Sequence, residues 1–103
     1  MAAPVMPGDG SATTNGSSSS SPQTFRILVL PGDHVGPEVM KEAIKVLETI
    51  EQKRPNINFK LTHDIAGGCS MDKHGTPITD EVLRIGKEEV DAILFGSVGG
   101  PEW

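Results

Sequence analysis

An α/β fold, with helices packed on a largely parallel sheet, is predicted by three observations in this 103-residue chain. Two short runs, Phe25-Arg26-Ile27-Leu28-Val29-Leu30 and Asp91-Ala92-Ile93-Leu94-Phe95-Gly96, are nearly continuous in apolar β-formers, as in strands covered on both faces. A long amphipathic helix pattern follows the first run after one tight turn, so strand and helix alternate along the chain. Both runs end in Gly-rich loops, 31–37 and 96–101, and α/β sheets bind their ligands at the carboxyl ends of strands.

The elements follow in order. Met1 to Thr24 reads as a disordered tail with one charge (Asp9), six Ser, three Thr and three Pro, too poor in apolar surface to offset its ordering entropy. Order is expected from Phe25, so 25–103 is the folded part, and Pro31-Gly32 closes the first strand. Pro37 suits the first helical position, where its missing N–H costs nothing, and Glu38 complements the positive end of the helix dipole. Val39, Met40, Ala43, Ile44, Val46, Leu47 and Ile50 recur mainly at three- and four-residue steps and predict one wide apolar face, with Pro55 as the stop. Ile57, Phe59 and Leu61 alternate with Asn58, Lys60 and Thr62, the period of a strand with one polar face. Asp64 to Pro77, interrupted by Gly67, Gly68 and Gly75, shows no sustained period and reads as loop. Thr79 is placed to cap a second helix, with Asp80 and Glu81 in its first turn and Val82, Leu83 and Ile85 facing inward. Gly86 weakens that helix, and the run from Asp91 to Gly96 returns the chain to a buried strand.

Composition excludes several classes of function. Nine Lys+Arg against 14 Asp+Glu give a net charge of −5, and with one Trp, three Phe and no Tyr the chain lacks the basic footprint and stacking surface for nucleic acid. No apolar run approaches the ~20 residues needed to span a bilayer, so no membrane partner is expected. Cys69 has no second cysteine to pair with, and the N-terminal stretch carries neither the charged and apolar regions of a signal peptide nor the Arg content of a transit peptide. A cytoplasmic location is expected. About 79 residues remain once the tail is set aside, too few for a complete two-domain enzyme.

Taken by itself, Gly32-Asp33-His34-Val35-Gly36 is neither the G-x-G-x-x-G fingerprint nor a P-loop. It offers a tight turn with N–H groups at a helix N-terminus, able to face an anion or simply to turn the chain. Trp103 is expected to be exposed. His63, Asp64, Cys69, Asp72 and His74 match no structural zinc spacing, and no G-x-S-x-G element supports a hydrolytic triad. On these residues alone, a self-contained small α/β module binding a nucleotide or phosphate is one reading.

Three blocks taken together point elsewhere. Leu30-Pro31-Gly32-Asp33-His34-Val35-Gly36-Pro37-Glu38-Val39-Met40 resembles the opening strand–turn–helix of the β-decarboxylating dehydrogenases, the family of isopropylmalate, isocitrate and tartrate dehydrogenases. Gly67-Gly68-Cys69-Ser70-Met71-Asp72-Lys73-His74-Gly75-Thr76-Pro77 is similar to that family's "GG…ID.HG.PL" loop. Asp91 to Trp103 is similar to its "DAVLFGSVGGPKW" block, whose GGP-x-W ending favours the isopropylmalate branch. The resemblance implies NAD-dependent oxidation of a 2-hydroxy acid (3-isopropylmalate), with Mg²⁺ or Mn²⁺, and loss of the β-carboxylate as CO₂ in leucine biosynthesis. It implies that Gly100, Pro101, Glu102 and Trp103 begin the NAD-contacting segment and that Val35 packs near the cofactor. It places the family's substrate-binding arginines, catalytic Tyr and Lys and metal-binding aspartates beyond Trp103, so the chain is expected to be an N-terminal part of such an enzyme, inactive alone. A homodimer is implied for the whole enzyme. Two positions depart from the family pattern: His34 stands where Gly is common, and Glu102 where Lys is usual.

Overall fold

The computed structural model describes residues 21–103. Most of the tail predicted for residues 1–24 therefore lies outside the described residues. Three strands and three helices follow in the order β1 (Gln23–Gly32), α1 (Gly36–Lys53), β2 (Ile57–His63), α2 (Gly68–His74), α3 (Asp80–Glu88) and β3 (Ala92–Ser97). The strands form one sheet in the order β2-β1-β3, parallel throughout.

β1 is the central strand, and its sequence shows why. Leu28, Val29 and Leu30 are each 3% exposed or less, so the run is covered from both sides, as its lack of alternation predicts. On one face Ile27 and Val29 meet Met40, Ala43, Ile44 and Leu47 of α1, together with Phe59, Leu61 and Leu94 from the neighbouring strands. On the other, Leu28 and Leu30 meet Val82 and Ile85 of α3, with Ala66, Ile78 and Val90 around them. The topology accounts for the two faces. Crossover connections share one hand, so a crossover toward β2 and a later one back past β1 to β3 place their helices on opposite sides.

β1 extends beyond Phe25-Leu30 at both ends. Gln23 donates its N–H to the Asn56 carbonyl at 2.7 Å and pairs in register with Ile57, so β2 recruits two polar residues that composition alone assigned to the tail. At the amino end of β3, the Asp91 carboxylate accepts from the Arg26 N–H at 2.9 Å and lies 3.2 Å from its guanidinium, while the Asp91 N–H donates to the Arg26 carbonyl. The Arg26 side chain holds the Asp91 carboxyl below the usual carboxylate range. This pair sets the β1–β3 register at the end of the sheet remote from the Gly-rich loops.

Helix α1 begins at Gly36, so Pro37 is its second residue, and it ends at Lys53. Arg54 is extended (φ −128°, ψ 83°), the conformation that a following proline enforces. Its apolar face is narrower than the spacing suggests, since Val39 and Val46 are 48% and 59% exposed. A single sheet face contacts one stripe of a helix, and these two residues lie outside it. In α3 the Thr79 hydroxyl accepts the Val82 N–H at 3.2 Å, the predicted cap. Val82 and Ile85 are buried, but Leu83 is 43% exposed and does not face inward: it stands about 100° round the helix from Val82. Gly86 has a use here, because a Cβ on it would press on the Ile93 side chain at 3.2 Å. β3 is less buried than its run of β-formers suggests. Ile93 and Phe95 are each 50% exposed, since α3 covers Ile93 only in part at Gly86 and the strand is paired only to β1 among the described residues.

The stretch 64–77, read as loop, contains α2. No periodicity marks a helix this short, and its amino end is made by a distant partner. Gly75 closes it in the left-handed conformation (φ 77°), donating its N–H to the Met71 carbonyl. The fully buried Ser70 hydroxyl donates to the Thr76 carbonyl at 2.7 Å, and the Gly67 N–H donates to the Pro77 carbonyl at 2.7 Å. The amino end of α2 belongs to the candidate site.

Candidate functional site

Since β1 and β3 are parallel, both Gly-rich loops leave the sheet on the same side, as predicted, and the α2 loop joins them there. The residue that ties the three together is Asp33. It is 4% exposed and directly follows the last residue of β1. One carboxylate oxygen accepts the Gly68 N–H at 2.7 Å and the Gly99 N–H at 2.8 Å, and the other accepts the Cys69 N–H at 2.7 Å. Its backbone is equally engaged: the Asp33 N–H donates to the Ser97 carbonyl, and its carbonyl accepts the Gly36 N–H, both at 2.7 Å.

The electrostatics follow from this geometry. The Gly99 N–H, then those of Gly68 and Cys69, hold the Asp33 carboxyl down to about 2, against the opposing effect of burial. The Gly32-to-Gly36 turn reads as able to face an anion or simply to turn the chain. The structure shows the anion to be the chain's own, facing α2 and not α1: Asp33 caps α2 from a loop 35 residues earlier, replacing the local cap that Gly67 cannot supply.

Two glycines permit this convergence. Gly32 adopts φ 88° and sits directly against the Ser97 carbonyl, leaving no room for a side chain. Gly68 lies beneath the indole of Trp103, and a methyl group there would collide with the ring.

Val35 occupies the cap position of α1 and is 51% exposed. Gly100, Pro101, Glu102 and Trp103 form one turn, with the Trp103 N–H donating to the Gly100 carbonyl at 3.2 Å. His34, next to Val35, spans the gap between them. Its Nε2 lies 3.2 Å from Oε1 of Glu102, and its ring centre is 5.4 Å from that of Trp103. The structure thus brings every cofactor-contact candidate to one crest. Trp103 is 43% exposed, as expected for its position, yet it is docked: its indole N–H donates to Asp72 at 3.0 Å.

The polar residues weighed for zinc have separate tasks. Asp64 accepts the Ile65 N–H, Asp72 holds Trp103, and the Cys69 thiol donates to the Ala66 carbonyl at 3.3 Å. Burial first, then Asp33, pushes the Cys69 thiol up from its ordinary range. Among the described residues no group of three or more His, Cys, Asp or Glu is arranged to hold a metal ion. On the β2 side of the crest, Pro31, Gly32, Pro37, His63, Asp64, Ile65 and Cys69 line an open depression of about 390 Å³.

Asp33 and Asp72 are the residues that sequence reasoning missed as site elements. The signal for Asp33 was its place directly after Gly32 at a strand end, with Gly-Gly pairs elsewhere to offer bare N–H groups. Nothing in the local sequence connected Asp72 to Trp103.

This arrangement is that of a ligand-binding α/β sheet, with Gly-rich loops gathered at the carboxyl ends of parallel strands. The isocitrate/isopropylmalate dehydrogenase family profile matches residues 26–103, and the chain belongs to that family. Among curated relatives it is 65% identical over 80 residues to the 3-isopropylmalate dehydrogenase of Hapsidospora chrysogena, covering 78% of this chain and 21% of that protein. It is 54% identical over 78 residues to the enzyme of the same name from Pseudomonas syringae pv. tomato, covering 76% of this chain and 21% of the relative. The crystal structure of a beta-decarboxylating dehydrogenase from Thermococcus kodakarensis, in apo form, superposes with a TM-score of 0.61 at 31% identity, over 75% of this chain and 21% of that one. The chain thus spans about a fifth of the length of the relatives it matches.

Proposed function

We propose that this chain forms the opening strand–helix portion of an NAD-dependent oxidative decarboxylase of 3-isopropylmalate, an enzyme of leucine biosynthesis that works as a cytoplasmic homodimer. Val35 and the turn Gly100-Pro101-Glu102-Trp103 are its contacts to NAD. What carries the proposal is the gathering of these residues on one crest by Asp33, in a segment shared with 3-isopropylmalate dehydrogenases.

The crest fits an extended cofactor on two counts. Val35 offers an exposed apolar side chain on which a ring can rest, and an added Cβ on Gly99 would meet nothing within 4 Å, so its backbone is open to close approach. NAD, when bound, supplies the hydride acceptor. The chain's own residues orient it: Asp33 fixes the Gly99 N–H from below, and Trp103 is braced by Asp72 and Gly68. Preorganisation of this kind lowers the ordering cost of binding. The described residues do not fit Mg²⁺ or Mn²⁺, whose ligands we assign to the remainder of the whole enzyme.

A chimera tests the proposal. Residues 25–103 replace the matching segment of the Hapsidospora chrysogena relative, and NAD reduction is followed with 3-isopropylmalate and Mg²⁺. Turnover within about tenfold of the parent is expected, a barrier change of about 1.4 kcal/mol. A folded chimera with no NAD-dependent turnover overturns the proposal. The 103-residue chain alone is expected to show none.

A further inference from the structure

The two residues that depart from the family pattern meet each other. His34 and Glu102 are 68 positions apart, yet Nε2 of His34 lies 3.2 Å from Oε1 and 3.1 Å from Oε2 of Glu102. An ionised carboxylate only accepts, so Nε2 carries the proton and donates. His34 adopts φ 50°, a left-handed conformation uncommon outside glycine but several-fold enriched for His, Asn and Asp. That backbone retains the geometry a glycine would take while adding an imidazole that reaches the opposite loop. Gly100 lies directly under the imidazole and the Glu102 carboxylate, where any side chain would collide with both. The imidazole also faces the Trp103 ring at 5.4 Å and 49°, and the far side of Trp103 is fixed by Asp72.

Both partners are about half exposed, 52% and 50%, so the contact contributes little to overall stability. Its effect is local. Asp33 holds the 99–103 segment at Gly99 and Asp72 holds it at Trp103, and the His34–Glu102 contact secures the turn between them. We propose that His34 and Glu102 act as one positioning unit, a clasp that fixes the Gly100–Trp103 turn against the β1–α1 turn and sets how tightly the cofactor is held there. The cofactor clause rests on the proposed function; the clasp itself does not.

Trp103 reads the clasp directly, because the chain has one Trp and no Tyr. Acrylamide quenching of its emission is compared in the 103-residue chain for wild type, His34→Asn, Glu102→Leu and the double variant, each checked for fold by circular dichroism. Asn keeps the left-handed preference at shorter reach, and Leu keeps the apolar stem of Glu with no oxygen to accept. Each single change is expected to raise the quenching constant roughly twofold, with the double variant no higher than either single, as for one shared contact. His34→Gln, which keeps an N–H donor at similar reach, restores the wild-type value. Additive effects, or unchanged quenching in folded variants, overturn the clasp. In the chimera, KM for NAD is expected to rise about equally in both single variants and the double. Intact coupling in the quenching data with an unmoved KM overturns only the cofactor clause.

Discussion

Asp33 carries a negative charge in a nearly dry position because three backbone N–H groups replace its water shell. That makes it one residue through which pH acts on this fold, beside Asp91. Its carboxyl is held at about 2, below the 3.8 of an unstructured Asp. The stabilisation is complete above the unfolded value and is lost as pH falls from about 4 toward 2. Acid unfolding followed by circular dichroism is expected to show a transition in that interval. Asp33→Asn, which puts an N–H donor among three N–H groups, should flatten the interval and lower stability even at pH 7. An Asn variant with unaltered acid unfolding would contradict the assignment. Cys69 gives a second readout at this scale. With its thiol pushed up by burial and by Asp33, it should react with Ellman's reagent more slowly than glutathione at pH 8. Both behaviours were hidden in the sequence: Asp33 and Cys69 look like ordinary loop residues until 35 residues of chain fold between their neighbours.

At the scale of elements, the helices divide by where their ends are satisfied. α3 was legible because Thr79, Asp80 and Glu81 carry its start signal locally, and Thr79→Ala should cost about 1 kcal/mol in denaturant unfolding. α2 was not legible because its amino end is capped from β1 and its first residue is chosen by Trp103. Gly68→Ala tests that dependence: the methyl displaces the indole, so Trp103 emission should shift to the red with helix content nearly unchanged. A blue-shifted or unshifted spectrum would show that Trp103 is not seated on Gly68. β1 and β2 were read with the right faces, as in Phe59 and Leu61 of β2, whereas the continuous run of β3 overstated its burial. Their extents were not, since Gln23 and Thr24 enter β1 only because β2 lies beside them.

For the whole molecule, the sheet is covered on both faces at its centre and thinly at β3. Core substitutions should therefore differ sharply by strand. Leu28→Ala, at the middle of β1, is expected to cost about 2–5 kcal/mol, whereas Phe95→Ser, half exposed on β3, should cost about 1 kcal/mol. Equal costs, measured by urea unfolding, would refute this division of the core. The described chain spans a fifth of its relatives' length, and its apolar surface is least used at Ile93 and Phe95 on β3 and at Val39 and Val46 on α1.

The sequence by itself determined the α/β class, the central strand, the cap of α3 and the family, because each rests on local pattern: uninterrupted β-formers, three-to-four spacing, a hydroxyl before acidic residues, and three motif blocks in order. Only the tertiary structure decided that Asp33 is the hub, that α2 exists, that Leu83 and Ile93 are only half buried and that His34 pairs with Glu102. The physical reason is common to all four. Each depends on which groups meet across 35 to 68 residues of chain, or on how far one helix can cover a sheet. Neither is written in the spacing of neighbouring residues.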